Sequence, residues 1–449
     1  MTTAERILGR KTVAGYAVGS LGTGGFSTLP GLVLVYYLTD TLGVAALAAG
    51  ILVTAAKIWD VLINPVIGAR SDRSLLVTRS RRRFMVLGGA LIPVFFILTF
   101  AVPPGLNPFL SGLWVFVAFL LTATAFSLFQ VPYIALPAEL VSGYDQRTRL
   151  ITWRVVVLTV AILLFGAGGP ALRTLGGSGH FGYLLMAIVA GVVIGAGMLA
   201  SSTIAPRNAT VAADAARISI AQNYAAAFRA LRRSRPFRAL LLTFLLQGLA
   251  TGLMLAGAQY VATWVLHSEK GVTLLFLALI APALVFAPVW GIVARRIGKE
   301  RAFLISSILY GGAALSLLGL LWAAGDWIYI SVAFAGAAYA GMQTLPLAML
   351  PDVISHDAAE HGDGHAGTFS GVWTAGETTG IALGATVLTI VLALSGYAQS
   401  TAGVKVTQTS AAIAGIIVSF SVVPAAIMAF SLVPLARYRL RKQNIDGAP

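Results

Sequence analysis

Twelve apolar runs take up most of this chain, each near or above the ~20 residues that cross a bilayer and each closed by a short polar break. They fall near 12–38, 44–69, 84–103, 110–139, 149–172 and 181–204, then 237–266, 272–296, 302–323, 327–350, 367–395 and 409–436. Hydrophobic residues make up 58% of the 449 and charged residues only 10%, whereas a soluble domain carries about 25% charged residues. In hydrocarbon every backbone N–H and C=O must be bonded within its own element, so such runs become helices. The expected fold is an all-α membrane protein with the lipid bilayer as its first partner.

The net charge of +15 is also a membrane feature. Its Lys and Arg sit in polar breaks, without the aromatic platform or basic stripe of a nucleic-acid surface, so no nucleic-acid partner is expected. With the N-terminus inside, all but five of the 31 basic residues fall in cytoplasmic segments. Arg173, Lys270 and Lys405 lie outside, and Lys57 and Arg154 lie within spans. That asymmetry predicts a multi-pass protein of the plasma (inner) membrane with both termini cytoplasmic. The basic start, Met1 to Lys11, runs into an apolar segment too long for a signal peptide, so this segment reads as the first span. There is no cysteine, which removes disulfide and thiol chemistry.

A polar stretch from Pro206 to Arg235 separates the first six runs from the last six. Residues 1–205 and 236–449 then read as six-helix bundles joined by a cytoplasmic linker at 206–235, the second with a short basic tail. The segment from Gly68 through Asp72 and Arg73 to Arg81-Arg82-Arg83, after the second run, is echoed by Gly291 through Arg295, Arg296 and Lys299 after the eighth. Both read as tight basic turns, and Gly68, Asp72 and Arg73 as a loop that changes with conformation. A 6+6 parallel repeat of this kind is the major facilitator fold. Gly15/Gly19 and Gly376/Gly380/Gly384 have the spacing that lets helices approach closely in lipid.

Four ionisable residues lie inside runs: Lys57, Asp60, Arg154 and Glu377. Each costs ~2.5–3.5 kcal/mol on insertion scales, so each needs a reason to be there. Lys57, Asp60 and Asn64 stand at i, i+3 and i+7, along one helical face. Pro65 follows and frees backbone carbonyls near Asn64. That face can offer oxygens to a cation or hydrogen bonds to a solute; a Lys57–Asp60 ion pair that only fixes packing is the other reading. Arg154, about 9 Å into its span by helical rise, either lines a cavity or reaches back to the cytoplasm. Glu377, beside Thr378, is a candidate proton carrier or a counter-charge for Lys57 or Arg154.

The segment Asp352 to His365 holds His356, Asp357, Glu360, His361 and Asp363 and superficially suggests metal ligands. It reads instead as a solvated cytoplasmic loop, so no metal and no cofactor are expected. No zinc-protease, phosphate-loop or nucleophile-elbow motif occurs, so neither is an enzyme. Linker and tail are too short for an interaction domain, which argues against a membrane sensor and leaves no evident protein partner.

Several ordered segments resemble the glycoside–pentoside–hexuronide:cation symporters, the melibiose-permease-like group of the major facilitators. They include Tyr36-Tyr37-Leu-Thr-Asp40; Lys57-Ile-Trp59-Asp60-Val-Leu-Ile-Asn64-Pro65-Val-Ile-Gly68; Val131-Pro132-Tyr133; Arg147-Thr-Arg149-Leu; and Gly371-Val-Trp373-Thr374. The resemblance implies Asp60 in cation coupling and Arg154 at the solute. It places Gly24, Lys57, Gln130, Trp373 and Thr378 along the same cavity. Asn64 stands where the group carries a second coupling acid, Gly24 and Gln130 where sugar-binding members carry acids, and Thr378 where they carry a lysine.

The resulting expectation is a secondary active transporter that moves a sugar-like solute with a monovalent cation by alternating access, the solute binding between the bundles. One span-two carboxylate favours H+ over Na+, because a hard metal ion wants several oxygen ligands. An uncoupled facilitator or exporter, or a carrier of lipid-like solutes, remains open on the same residues.

Overall fold

The computed structural model describes residues 9–140, 144–177, 179–207, 231–361, 366–401, 404, 406–438 and 440. Among them twelve helices are long and apolar enough to cross a membrane. They are Arg10–Thr41, Ala46–Thr78, Arg82–Phe100, Pro108–Pro137, Arg149–Leu175 and His180–Ser202, followed by Arg235–Val265, Gly271–Ile297, Lys299–Leu321, Ile328–Asp357, Phe369–Leu394 and Ser410–Ala436. We number these spans one to twelve. The all-α membrane fold read from the apolar runs is thus present. Large apolar side chains such as Val285, Phe334 and Phe430 stand well exposed on its surface, as side chains bathed by lipid do.

By contacts the chain divides into two units. The first comprises Met1–Ala45, Ala55–Ile220 and Ser400–Val404, and the second Ala46–Thr54, Ala221–Gln399 and Lys405–Pro449. The two units share several of their helix pairings. In the first unit span one packs on five and six, and span three on four and six. In the second, span seven packs on eleven and twelve, and span nine on ten and twelve.

Local sequence repeats with the packing. Spans one and seven both end in a five-residue π-helical turn, Tyr37–Thr41 and Val261–Val265. The helices carrying spans four and ten each hold two prolines five apart, Pro132/Pro137 and Pro346/Pro351. Pro65/Gly68 in span two answers Pro288/Gly291 in span eight.

Glycines set the closest contacts. A Cβ on Gly380 would lie 2.5 Å from the Leu245 carbonyl oxygen, and one on Gly384 would lie 2.3 Å from the Leu253 nitrogen. From the facing helix, a Cβ on Gly252 would lie 2.2 Å from the Ile381 oxygen. Spans seven and eleven therefore meet backbone to backbone, which only glycine permits.

Two expectations about connections are corrected. Gly68, Asp72 and Arg73 are not in a turn: the helix runs unbroken past Pro65 to Thr78, and the chain reverses at Arg79, whose φ is 53°. Asp72 is held on that helix by Arg81 at 2.6 Å, while Arg81 also donates to the Ser71 hydroxyl at 2.9 Å. In the second unit the turn falls at Gly298, with φ of +95°. Likewise, the helix carrying span ten continues to His361 instead of breaking into a loop at Asp352. Lys299 pairs with Asp352 at 2.6 Å, and Arg233 pairs with the buried Asp357. These partners neutralise acids that would otherwise solvate the segment. Asp363 and His365, the side chains of Glu360 and His361, and the linker over 208–230 lie outside the described residues.

Candidate solute and cation site

Span four organises the first unit. Thr124, Ser127, Gln130 and Tyr133 recur every three residues, so they form a polar stripe that winds round an apolar helix by about 60° per step, from span two toward span one. Each member binds a neighbouring span. Thr124 accepts from the Trp59 indole at 3.0 Å, and the Ser127 hydroxyl donates to Asp60 Oδ1 at 2.5 Å. Gln130 Oε1 accepts from Thr23 at 2.7 Å. The Tyr133 hydroxyl donates to the Tyr16 carbonyl at 2.8 Å and lies 3.0 Å from Ser20 Oγ. Ser127, Thr124, Thr23 and Tyr16 were not picked out from the sequence, although the three-residue spacing of polar residues marks the stripe.

Asp60 is buried, and among the described residues it accepts one hydrogen bond, from Ser127. Lys57 shares its helical face, but no N–O contact within 4.0 Å joins the two side chains. Instead the Lys57 ammonium sits 4.4 Å from the Phe26 ring centroid and 5.6 Å from that of Phe119. It stays within electrostatic reach of Asp60 while being held by ring faces. The Lys57–Asp60 ion pair is therefore not the arrangement adopted. Asn64, one turn along, is half-buried and makes no hydrogen bond among the described residues.

Arg154 turns inward. Its guanidinium carbon lies 5.4 Å from the Tyr133 ring centroid, and its Nε is buried without a hydrogen-bond partner. The Tyr16 ring is 4.8 Å from that of Tyr133, and the buried Tyr16 hydroxyl faces the Arg154 guanidinium. No carboxylate pairs with Arg154 among the described residues. A cation–π contact contributes ~0.5–2 kcal/mol against an insertion cost of ~2.5–3.5 kcal/mol, so Tyr133 alone does not offset the buried charge.

Two cavity positions are corrected. Gly24 faces span five: a Cβ there would lie 2.6 Å from Ala161 Cβ, 3.1 Å from Ile162 N and 3.2 Å from Leu158 O. No side chain, acidic or otherwise, fits between those helices, and the neighbouring Thr23 carries the polar contact. Trp373 is core: it is 2% exposed and stacks on Phe244 at 4.3 Å and 17°. Glu377 and Thr378 are half-buried on span eleven. Glu377 has no ion pair among the described residues and lies in the field of the Tyr339 phenol, which accepts from Gln343 at 2.8 Å.

A separate cavity of about 660 Å³ opens where spans eight, nine and ten meet the chain after span twelve, and it includes neither Glu377 nor Thr378. Arg295, Lys299, Glu300, Asp352 and Tyr438 give it polar edges. Burial, reinforced by the charges of Asp352 and Glu300, holds the Tyr438 phenol above its ordinary pKa.

Twelve apolar helices paired in this way, with Asp60 and Arg154 held inside the spans of the first unit, have the makings of a polytopic solute carrier. The chain belongs to the sugar-transport family of the major facilitators, described as MFS/sugar transport protein, which matches residues 15–442. An uncharacterized symporter of Synechocystis is 24% identical, over 86% of each chain. The glucuronide carrier protein homolog of Escherichia coli is 24% identical over 96% of this chain and 92% of its own. In fold, a bacterial homolog of the human lysosomal transporter Spinster superposes with a TM-score of 0.68 at 13% identity, over 96% of this chain and 97% of that one. The chain is therefore a multi-pass membrane transporter of the sugar type and not an enzyme, and the glycoside–pentoside–hexuronide resemblance is borne out.

Proposed function

We propose that the chain is a proton-coupled symporter of a sugar-like solute, working by alternating access in the plasma membrane with both termini cytoplasmic. The observation that carries the coupling is Asp60: a buried carboxylate inside a span that, among the described residues, takes one hydrogen bond, from Ser127, and no ion pair. An ionised carboxylate so placed is expensive unless something neutralises it. A proton does so at a single oxygen. A sodium ion would need several, and around Asp60 the close partner is one serine hydroxyl, with the Asn64 amide a turn away. The sugar-like solute is supported by the family and by the glucuronide carrier homolog among its relatives. The orientation rests on the basic residues of the cytoplasmic segments.

The test is uptake into proteoliposomes under an imposed pH gradient, with and without sodium. The parent is expected to accumulate solute when the lumen is alkaline, independently of sodium. Asp60→Asn should retain downhill flux and lose accumulation. Accumulation that persists in Asp60→Asn removes the coupling role, and accumulation driven by sodium at equal pH replaces the proton.

A further inference from the structure

The cavity of the second unit lies at one membrane–water boundary. Span eight ends at Ile297, span nine starts at Lys299, and span twelve ends at Ala436. Arg295, Lys299, Glu300 and Tyr438 on its wall therefore stand at the depth of lipid headgroups. From Arg295 the cavity runs back past Ala294 and Gly291 to Ala287, along one face of span eight. Those eight steps cover about 12 Å toward the membrane interior. A Cβ on Gly291 would meet nothing within 4 Å. This glycine seats no neighbouring helix, unlike Gly252, Gly380 and Gly384; it leaves a channel open. Phe286, Ile292 and Leu347, each next along the chain to a lining residue, stand exposed, as side chains bathed by lipid do.

The charges of the wall divide into a spent pair and a free one. Lys299 is taken by Asp352 at 2.6 Å and by the Ala348 carbonyl at 3.0 Å. Arg295 and Glu300 have no ion pair and no hydrogen bond among the described residues. A ligand that answers one free cation and one free anion is a zwitterion, and one that also fills the channel carries an alkyl chain. We propose that this cavity holds one phospholipid with a primary-amine headgroup, a phosphatidylethanolamine of the adjoining leaflet, with its phosphate on Arg295, its ammonium on Glu300 and an acyl chain along Gly291. The guanidinium fork suits phosphate oxygens, and basic pockets between spans hold headgroups in this way. A primary ammonium donates hydrogen bonds to a carboxylate. A quaternary one does not, and is held by a cage of aromatic faces, whereas Tyr438 is the one aromatic residue among the described lining. An anionic headgroup leaves Glu300 unmatched. The volume of about 660 Å³ falls within the ~300–1,000 Å³ of ligand sites. Asp60 and Arg154 take no part, so the site stands or falls apart from proton coupling.

The experiment uses the full chain, stripped of lipid in detergent. Phosphatidylethanolamine, phosphatidylcholine and phosphatidylglycerol with identical acyl chains compete in equal amounts, and native mass spectrometry counts what each chain keeps. One phosphatidylethanolamine per chain is expected, favoured about tenfold, the effect of one charge-assisted contact. Arg295→Gln should lower its retention about as much. Glu300→Gln should keep the phosphate contact and lose the choice, so that phosphatidylethanolamine and phosphatidylglycerol are held alike. Gly291→Phe should block the channel and lose the lipid without lowering the melting temperature in lipid-free detergent. If one variant melts below the parent, the other two and the headgroup competition still decide. Equal retention of all three lipids by the parent overturns the zwitterion, and parental retention in the three variants overturns the site. Displacement by glycerophosphoethanolamine, which has no acyl chain, at equal concentration overturns the lipid in favour of a soluble zwitterion.

Discussion

Restoring an acid at position 24 should damage the protein without making a sugar site. The added Cβ would stand 2.6 Å from Ala161 Cβ, where carbon atoms prefer about 3.5–4.0 Å. The overlap of roughly 1 Å has to be relieved by parting spans one and five. Overpacking of this kind costs ~1–3 kcal/mol, which is the expectation for Gly24→Ala. Gly24→Asp adds an unpaired carboxyl between helices, another ~2.5–3.5 kcal/mol on insertion scales, for a total of roughly 4–6 kcal/mol. Ala161→Gly removes the shortest contact but leaves Ile162 N at 3.1 Å and Leu158 O at 3.2 Å. The Gly24→Ala/Ala161→Gly pair should therefore recover part of the loss, with a coupling of ~0.5–1.5 kcal/mol, inside the range for touching residues. Thermal unfolding of the four purified proteins in detergent measures the cycle, and solute binding to the same samples measures the site. A Gly24→Asp variant as stable as the parent, or one that gains sugar affinity, would refute the placement of Gly24 against span five.

Trp373→Ala should cost ~3–5 kcal/mol of stability, as large-to-small core changes do, while Trp373→Phe keeps the ring contact with Phe244 and costs less. A raised KM in Trp373→Phe at unchanged stability would return Trp373 to the solute site. Asp357→Asn strands Arg233, whose side chain is 27% exposed against 2% for Asp357. The loss is expected on the order of 2 kcal/mol, below the ~3–5 kcal/mol of a fully buried pair, and a double-mutant cycle with Arg233→Gln reads it. At Tyr438 the folded phenol holds its proton more tightly than the unfolded one. Its contribution is whole below the ordinary tyrosine value of about 10 and is lost as pH rises beyond it. Alkaline unfolding should accordingly be shallower in Tyr438→Phe, and curves that superimpose above pH 10 would contradict this.

The spans were legible because charge is so scarce: where a basic residue stands, a helix end is near, and the run boundaries follow. Asp60 and Arg154 were legible for the same reason, as charges in apolar surroundings. Gly24 was misplaced because a resemblance gives a position along the chain but not the side of the helix it faces; Thr23, one residue earlier, makes the polar contact. The helical continuation from Asp352 to His361 was hidden because it depends on Lys299 and Arg233, 53 and 124 residues distant from their partners. The stripe Thr124-Ser127-Gln130-Tyr133 was in plain sight by spacing, yet each residue alone is too ordinary to be singled out.

Where Gly252, Gly380 and Gly384 bring spans seven and eleven together, no side chain stands between the two backbones. Helices elsewhere lock by knobs seated in holes, and moving one past the other means lifting each knob over a ridge. A contact made of bare peptide has many small attractions and almost no relief. It therefore resists being pulled apart much more than it resists being slid, as two smooth rods in grease do. One methyl group on any of these glycines would act as a stop on that track.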